Sequence, residues 1–278
     1  MITRFAPSPT GYLHLGHALA AWVAYDLAKR HGGEMLLRFE DIDATRVRPE
    51  FYEAIEEDLS WLGITWSGVP WRQLDRAEAY QAALVQLQTL GVLYPCFCTR
   101  KEIAMMTSAP QRDDGLEGLV YPGICRHLTE REIQQRIKQG DRWAWRLDAQ
   151  NAAQLCGRLR WSDHRYGECV LDPQLLGDVV IARKDIGVAY HLAVVVDDAA
   201  QNATWVTRGD DLLASTHVHV MLQKLLGFPH PHYWHHPLVC DEQGKRLAKR
   251  HDAMSLRAMR EGGLSPVEVI ERITAFLR

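Results

Sequence analysis

Ala6-Pro7-Ser8-Pro9-Thr10-Gly11-Tyr12-Leu13-His14-Leu15-Gly16-His17 is the stretch whose reading decides the fold of this 278-residue chain. The apolar run before it, Ile2 to Phe5, reads as a β-strand. After it, Leu19, Trp22, Val23 and Leu27 recur at the spacing of one helical face. The stretch is therefore a strand-to-helix turn, with His14 and His17 at the mouth of the helix. Helix N-termini carry unpaired N–H groups and partial positive charge, which suit phosphate. Gly11 and Gly16 allow close approach. The two imidazoles add donors that can follow charge as it builds on a reacting phosphate. Read alone, the stretch fits a plain Pro/Gly turn with two surface histidines equally well. The rest of the chain decides.

The helix runs to about His31 and stops at Gly32-Gly33. Glu34 to Phe39 then reads as a second strand with Met35, Leu36 and Leu37 buried. Strand, helix and strand within forty residues make a βαβ unit, hence a parallel sheet with a right-handed crossover. Past the second strand stands Arg38-Phe39-Glu40-Asp41-Ile42-Asp43-Ala44-Thr45-Arg46. Open α/β sheets bind ligands at this edge, so Glu40 is expected to face the same crevice as the histidines. Glu50 to Leu62 and Arg76 to Leu90 are helices whose apolar stripes read as core packing.

From Tyr94 the character changes. Cys96-Phe97-Cys98 leads into a capping box, Thr99 to Glu102, and a Pro/Asp/Gly-rich loop, Ser108 to Gly118. Tyr121 to Cys125 follows. Cys96, Cys98 and Cys125 can converge on one metal, and thiolates suit zinc, which wants four ligands. His127 and Tyr121 are the nearby donors. Three unrelated buried cysteines are the other reading. A second capping box, Thr129 to Glu132, and strands at Trp143 to Leu147 and Leu159 to Trp161 fill out a small mixed insertion. Val179-Val180-Ile181 reads as the return of the parallel sheet. Thr204 to Thr207 is a further strand, ending in Arg208-Gly209-Asp210-Asp211. His230, His232, His235 and His236 lie among prolines and read as a Pro-set connection. Gly244 to His251 is a compact basic loop, and two short helices end the chain.

Composition narrows the class. Hydrophobic content of 47% and charged content of 24% are those of a globular domain. No apolar run approaches the roughly 20 residues of a membrane span, and no signal peptide precedes the motif. A cytoplasmic protein with no membrane partner is expected. Net charge of −3 lacks the basic footprint of a nucleic-acid binder, so any RNA contact must be local. Lys245, Arg246, Arg250, Arg257 and Arg260 are the candidates. Six cysteines in such a chain read as thiols or metal ligands rather than disulfides.

Five features thus stand in a set order: the HxGH turn, Glu40, the Cys-rich insertion, Arg208-Gly209-Asp210-Asp211 and the basic loop. This order resembles the catalytic core of class I aminoacyl-tRNA synthetases, specifically the glutamyl/glutaminyl branch. Arg4 to Gly11 with His14-Leu15-Gly16-His17 resembles that branch's HIGH signature, and Arg246-Leu247-Ala248-Lys249-Arg250 its KMSKS loop. Arg246 stands where Lys is usual, and Ala248 where Ser is usual. The sequence ends about thirty residues past that loop, without room for a large anticodon-binding region. In this, and in Cys96-x-Cys98 with Tyr121-x-x-x-Cys125, it resembles the truncated glutamyl-queuosine tRNA(Asp) synthetase family.

The resemblance implies an α/β fold, the Rossmann-like doubly wound parallel sheet of class I synthetases. Residues 1–93 and 173–252 would be its halves, 94–172 a zinc-bearing insertion and 253–278 a short helical tail. It implies that ATP activates L-glutamate without tRNA. The glutamate then passes to the cyclopentene-diol of queuosine at the wobble position of tRNA(Asp). By the same resemblance Arg4, Phe5, Ala6, Pro7, Ser8, Glu40, Tyr190 and Arg208 line the glutamate pocket. His14, Gly16, His17, Arg246 and Lys249 meet ATP and its Mg²⁺, with His14, His17 and Lys249 as the catalytic donors. Cys96, Cys98, Tyr121 and Cys125 hold one structural zinc, and a monomer is expected. The rival readings are a glutamyl-tRNA synthetase core charging the 3′ end, a nucleotidylyltransferase and a non-catalytic tRNA- or zinc-binding paralogue.

Overall fold

The computed structural model describes residues 1–99, 101–103, 120–173, 175, 177–183, 187–240 and 255–277. The expected βαβ unit is there: β1 (Ile2–Phe5), α1 (Leu15–Arg30) and β2 (Glu34–Phe39). β1 and β2 run parallel, with Arg4 opposite Leu36, and β3 (Trp71–Arg72) adds parallel to β2. α1 stops where its signal stands. Gly32 takes a φ of +61°, the left-handed conformation that glycine adopts without a Cβ penalty. α2 (Pro49–Trp61) buries Ile55 and Leu59 in the same core as Leu19 and Val23 of α1. α3 (Ala77–Thr89) turns Tyr80, Leu84 and Leu87 to a second core.

The chain continues through β4 (Leu93–Cys96), α4 (Glu130–Lys138), β5 (Ala144–Leu147), α5 (Ala149–Cys156), β6 (Arg160–Asp163) and β7 (Gly167–Val170). Then come β8 (Val180–Arg183), β9 (Gly187–Val188), α6 (Tyr190–Ala200), β10 (Trp205–Gly209), α7 (Leu213–Leu226) and β11 (His232–His236). α8 (Leu256–Glu261) and α9 (Pro266–Thr274) complete it. β10, β11 and β6 form a second parallel block, with β7 folded back on β6. The two blocks meet where Thr204 donates its backbone N–H to Ile2 at 2.9 Å. Arg4 Nη1 reaches across to the Thr207 carbonyl at 3.2 Å. The strand ends that carry Arg4 and Arg208 therefore stand side by side.

Three expectations change. Val179 to Ile181 does not reopen the parallel sheet, because β8 pairs antiparallel with β5, inside the four-stranded β4–β5–β8–β9 sheet. The segment Leu159 to Trp161, read as part of the insertion, runs into β6, which pairs with β11 through Asp163 and Tyr233. The His/Pro segment is no simple connection, since its core is β11, with Tyr233, His235 and His236 buried. The two short C-terminal helices stand where expected and pack on the first core. Leu256 N donates to Leu13 O at 2.8 Å, and Val269 and Ile273 are fully buried in the core that α1 occupies. The Ser108–Gly118 loop and the basic loop lie outside the described residues. Among those described, no helix is long and apolar enough to cross a membrane.

Candidate active site

A cavity of about 350 Å³ opens where β1, β2 and β10 end. Arg4, Phe5, Ala6, Pro7, Ser8, His14, Gly16, His17, Glu40, Tyr190 and Arg208 all line it. Every residue expected to meet glutamate is brought together here, with the HxGH turn. Arg246 and Lys249 lie outside the described residues. The described chain nevertheless flanks that loop close to the site: Val239 lines the cavity and Ser255 pairs with His14.

The two histidines cap their own helix. Gly16 N donates to His14 Nδ1 at 3.1 Å, and His14 N donates to His17 Nδ1 at 3.2 Å. This is a capping box built from imidazoles. With each Nδ1 accepting, a neutral ring carries its proton on Nε2. The ring centroids are 3.9 Å apart, tilted by 33°, so the two Nε2–H donors stand as neighbours. A Cβ on residue 16 would lie 3.0 Å from His14 Cε1, so glycine there keeps the ring in place.

Glu40 enters from the end of β2, fixed by its N–H donating to Pro7 O at 3.0 Å. Burial pushes its carboxyl up to about 7, against the pull of Arg38 and Arg4. Its neighbour Asp41 faces away from the cavity and accepts from Tyr52 Oη and Leu74 N.

The two arginines differ. Arg4 Nε donates to Asp198 at 3.0 Å, and Arg38 Nη2 shares that carboxylate at 2.7 Å. Asp197 next to it accepts from Tyr80, Gln73 and Arg76. Arg208 instead donates to His235 Nε2 at 3.1 Å, His219 Nδ1 at 2.9 Å and Thr216 Oγ1 at 2.5 Å. His235 Nδ1 holds Asp163 at 2.7 Å. Burial, aided by Arg208, keeps the His219 pKa well below its ordinary value. Burial also pulls His235 down to about 4 although Asp163 opposes it.

The Cys-rich segment converges as well. The Sγ atoms of Cys96, Cys98 and Cys125 all lie within 4.8 Å of one another. Tyr121 Oη is 3.4 Å from Cys98 Sγ and accepts from Cys125 N at 2.9 Å. Hydrogen bonding with Cys96 draws the Cys125 thiol down, and the same bond drives Cys96 up. His127 is not in the cluster. Nor do the basic side chains near the chain end stand unengaged: Arg257 binds Glu261 and Tyr12, and Arg260 binds Glu57.

Residues 1–276 match the family model of class I tRNA synthetases (E and Q), catalytic domain. The chain belongs to this family. The synthetase fold and the α/β sheet with its parallel blocks agree. The chain is 47% identical to the glutamyl-Q tRNA(Asp) synthetase of Rhodobacter capsulatus, over 97% of its own length and 98% of that protein. It is 42% identical to the enzyme of the same name from Nitratidesulfovibrio vulgaris, over 96% and 83%. Among solved structures it resembles the glutamate-tRNA synthetase of Elizabethkingia anophelis, with a TM-score of 0.74 at 28% identity. It covers 95% of itself and 54% of that structure, so it spans about half of that longer chain.

Sequence reasoning missed the residues behind the synthetase pocket: Asp197, Asp198, His219, Thr216, His235 and Asp163. One signal was present. Asp197-Asp198 closes the apolar run Leu192 to Val196, and two carboxylates on a buried helix need cations nearby. The buried strand positions Arg4 and Arg38 supply them.

Proposed function

We propose that this synthetase joins glutamate to ATP without tRNA, forming glutamyl-adenylate and pyrophosphate, and then transfers the glutamate to queuosine of tRNA(Asp). One observation carries the first half. The cavity pairs a cation free of any described carboxylate, Arg208, with a half-buried carboxylate, Glu40, beside two imidazole donors at a helix start. That is the pattern needed by a zwitterion with one extra carboxylate lying next to a phosphate. Its volume sits in the usual range for small-ligand sites, about 300–1,000 Å³.

In this reading Arg208 takes the side-chain carboxylate and Glu40 accepts from the α-ammonium. The α-carboxylate oxygen attacks the α-phosphorus, and the bond to the bridging oxygen breaks as pyrophosphate leaves. No protein nucleophile is required. Positioning and donors aimed at the developing charge do the catalysis. His14 and His17 Nε2–H are the donors among the described residues, and Lys249 is the expected third. A hydroxyl of the acceptor diol then attacks the acyl carbon and AMP leaves. Likeness over nearly the whole length to relatives named glutamyl-Q tRNA(Asp) synthetase supports the acceptor.

The test uses labelled glutamate. ATP–pyrophosphate exchange should proceed with glutamate and no tRNA. Label should enter tRNA(Asp) only when queuosine is present, and should survive removal of the 3′ end by nuclease. Label lost with the 3′ nucleotide would make the protein a 3′-end charging core instead.

Glu40 gives a pH signature. It must be ionised to hold an ammonium, and its pKa starts near 7. Bound glutamate stabilises the carboxylate, so binding expels a proton at pH values below about 7. KM for glutamate should therefore rise as pH falls through 7, approaching about tenfold per unit, with KM for ATP flat. Glu40→Gln should abolish that slope and raise KM throughout. Initial rates of exchange from pH 6 to 8.5 measure both.

The thiolates and Tyr121 fit a zinc ion. Tetrahedral zinc with Zn–S of about 2.3 Å sets its sulfurs about 3.8 Å apart, and Cys98 and Cys125 Sγ stand at 3.5 Å. Cys96, Cys98, Cys125 and Tyr121 would hold it, and it would cross-link a segment with a small core of its own. Purified protein should carry one zinc per chain. Cys125→Ser should carry none, and chelation should lower Tm by several degrees without abolishing exchange at low temperature.

A further inference from the structure

Arg208, the cation of the cavity, is gripped by neutral groups. Its Nε, Nη1 and Nη2 donate to His235, His219 and Thr216. Among the described residues no carboxylate lies within 4.0 Å of its guanidinium, whereas Arg4 and Arg38 both contact Asp198. The tautomers follow from the arginine, which can only donate. His235 gives its Nδ1–H to Asp163 and so offers Nε2 as acceptor. His219 accepts at Nδ1, so its Nε2–H donates to His191 Nδ1 at 3.0 Å. Asp163 is in turn pinned by Arg165 N and Tyr166 N. The Asp163–His235–Thr216 array has the outline of a nucleophilic triad, with Thr216 Oγ1 2.9 Å from His235 Nε2. All three side chains are buried, and His235 and Thr216 both accept from Arg208, so the array is a cradle and not a nucleophile.

We propose that His219, Thr216 and His235, with Asp163 behind, are positioning and specificity residues. They fix Arg208 by neutral acceptors and leave its full charge for the substrate's side-chain carboxylate. A carboxylate in any of these acceptor positions would hold the guanidinium equally well and cancel its charge. The cradle thereby sets the preference for a side-chain carboxylate over the uncharged, nearly isosteric amide. This inference rests on glutamate being the amino acid activated.

Matched substitutions test it, because Asn and Asp share a shape and differ in charge. His219→Asn keeps an acceptor where Nδ1 stands, and His219→Asp adds a charge there. Thr216→Asn and Thr216→Asp ask the same of a second contact, should one aspartate variant fail to fold. Exchange is measured against glutamate, glutamine and ATP, with folding checked by circular dichroism. The asparagine variants should keep KM for glutamate within about threefold. The aspartate variants should raise it roughly thirtyfold or more and cut the glutamate-over-glutamine kcat/KM ratio at least tenfold. KM for ATP should stay put in all four. Equal loss in each Asn/Asp pair, or an unchanged ratio in the folded aspartate variants, would overturn the inference while leaving the functional reading intact. Wild-type protein without glutamate-dependent exchange would overturn that reading and this inference with it.

Discussion

Replacing His17 by alanine is expected to slow glutamate-dependent ATP–pyrophosphate exchange by about a hundredfold, roughly 3 kcal/mol of transition-state stabilisation. The loss should fall on kcat and kcat/KM equally, because the charge that Nε2–H meets develops only as the phosphorus is attacked. His17 has a second task. Its Nδ1 caps α1 by accepting from His14 N, so the same change should cost about 1 kcal/mol of stability. His17→Gln separates the two. Glutamine at this third helical position is a good capping partner, reaching back to the His14 N–H with its carbonyl. Spent on the cap, it no longer presents a ring N–H at the Nε2 position. Its Tm should match wild type while exchange stays slow. Recovery of the rate in His17→Gln would mean that the cap, and not the donor, was what catalysis required.

How far the sequence could be read depended on how local each feature was. The turn, α1 and its glycine stop follow from spacing within thirty residues, and they stand where expected. Strand pairing is not local. β6 joins β11 through Asp163 and Tyr233, seventy positions apart, and nothing in Arg160–Asp163 announces its partner. β8 carries the same Val/Ile signature whether its neighbours run parallel or antiparallel. β11 was hidden by composition, since histidines flanked by prolines do not look like a buried strand. His235 is buried there because it serves Arg208 and Asp163, a demand visible only once β10 and β6 lie on either side. The site shows the same division. The cavity residues on β1, the HxGH turn and the ends of β2 and β10 could be read from motifs and resemblance. Residues that hold those residues from behind could not, as their partners come from elements remote in sequence.

The second large effect concerns one of those hidden residues. Asp198→Asn should destabilise the protein by about 3–5 kcal/mol, the usual cost of leaving buried charge without its partner. Asparagine keeps the shape, so cavity formation contributes little. It leaves Arg38, which is fully buried, and Arg4 without the carboxylate they share at 2.7 and 3.0 Å. Asp197, whose Oδ2 stands 3.9 Å from Arg38 Nε, already accepts from Tyr80, Gln73 and Arg76 and has little left to offer. Against a total stability of about 5–15 kcal/mol, the urea midpoint should fall by about a fifth or more at an unchanged slope. The pH dependence fixes the cause. Burial alone would raise the Asp198 pKa, but Arg4 and Arg38 outweigh it and hold it below the ordinary carboxylate value. A lowered folded-state pKa gives stability that is present above the unfolded value of about 3.9 and lost as pH falls through the folded one. The difference between wild type and Asp198→Asn should therefore be constant from pH 5 to 8 and shrink below about pH 4. Because Arg4 lines the cavity, KM for glutamate should rise in the folded fraction of Asp198→Asn while KM for ATP holds. A stability cost under about 1 kcal/mol at neutral pH would show that Gln201, which accepts from Arg38 at 2.7 Å, carries the arginine by itself.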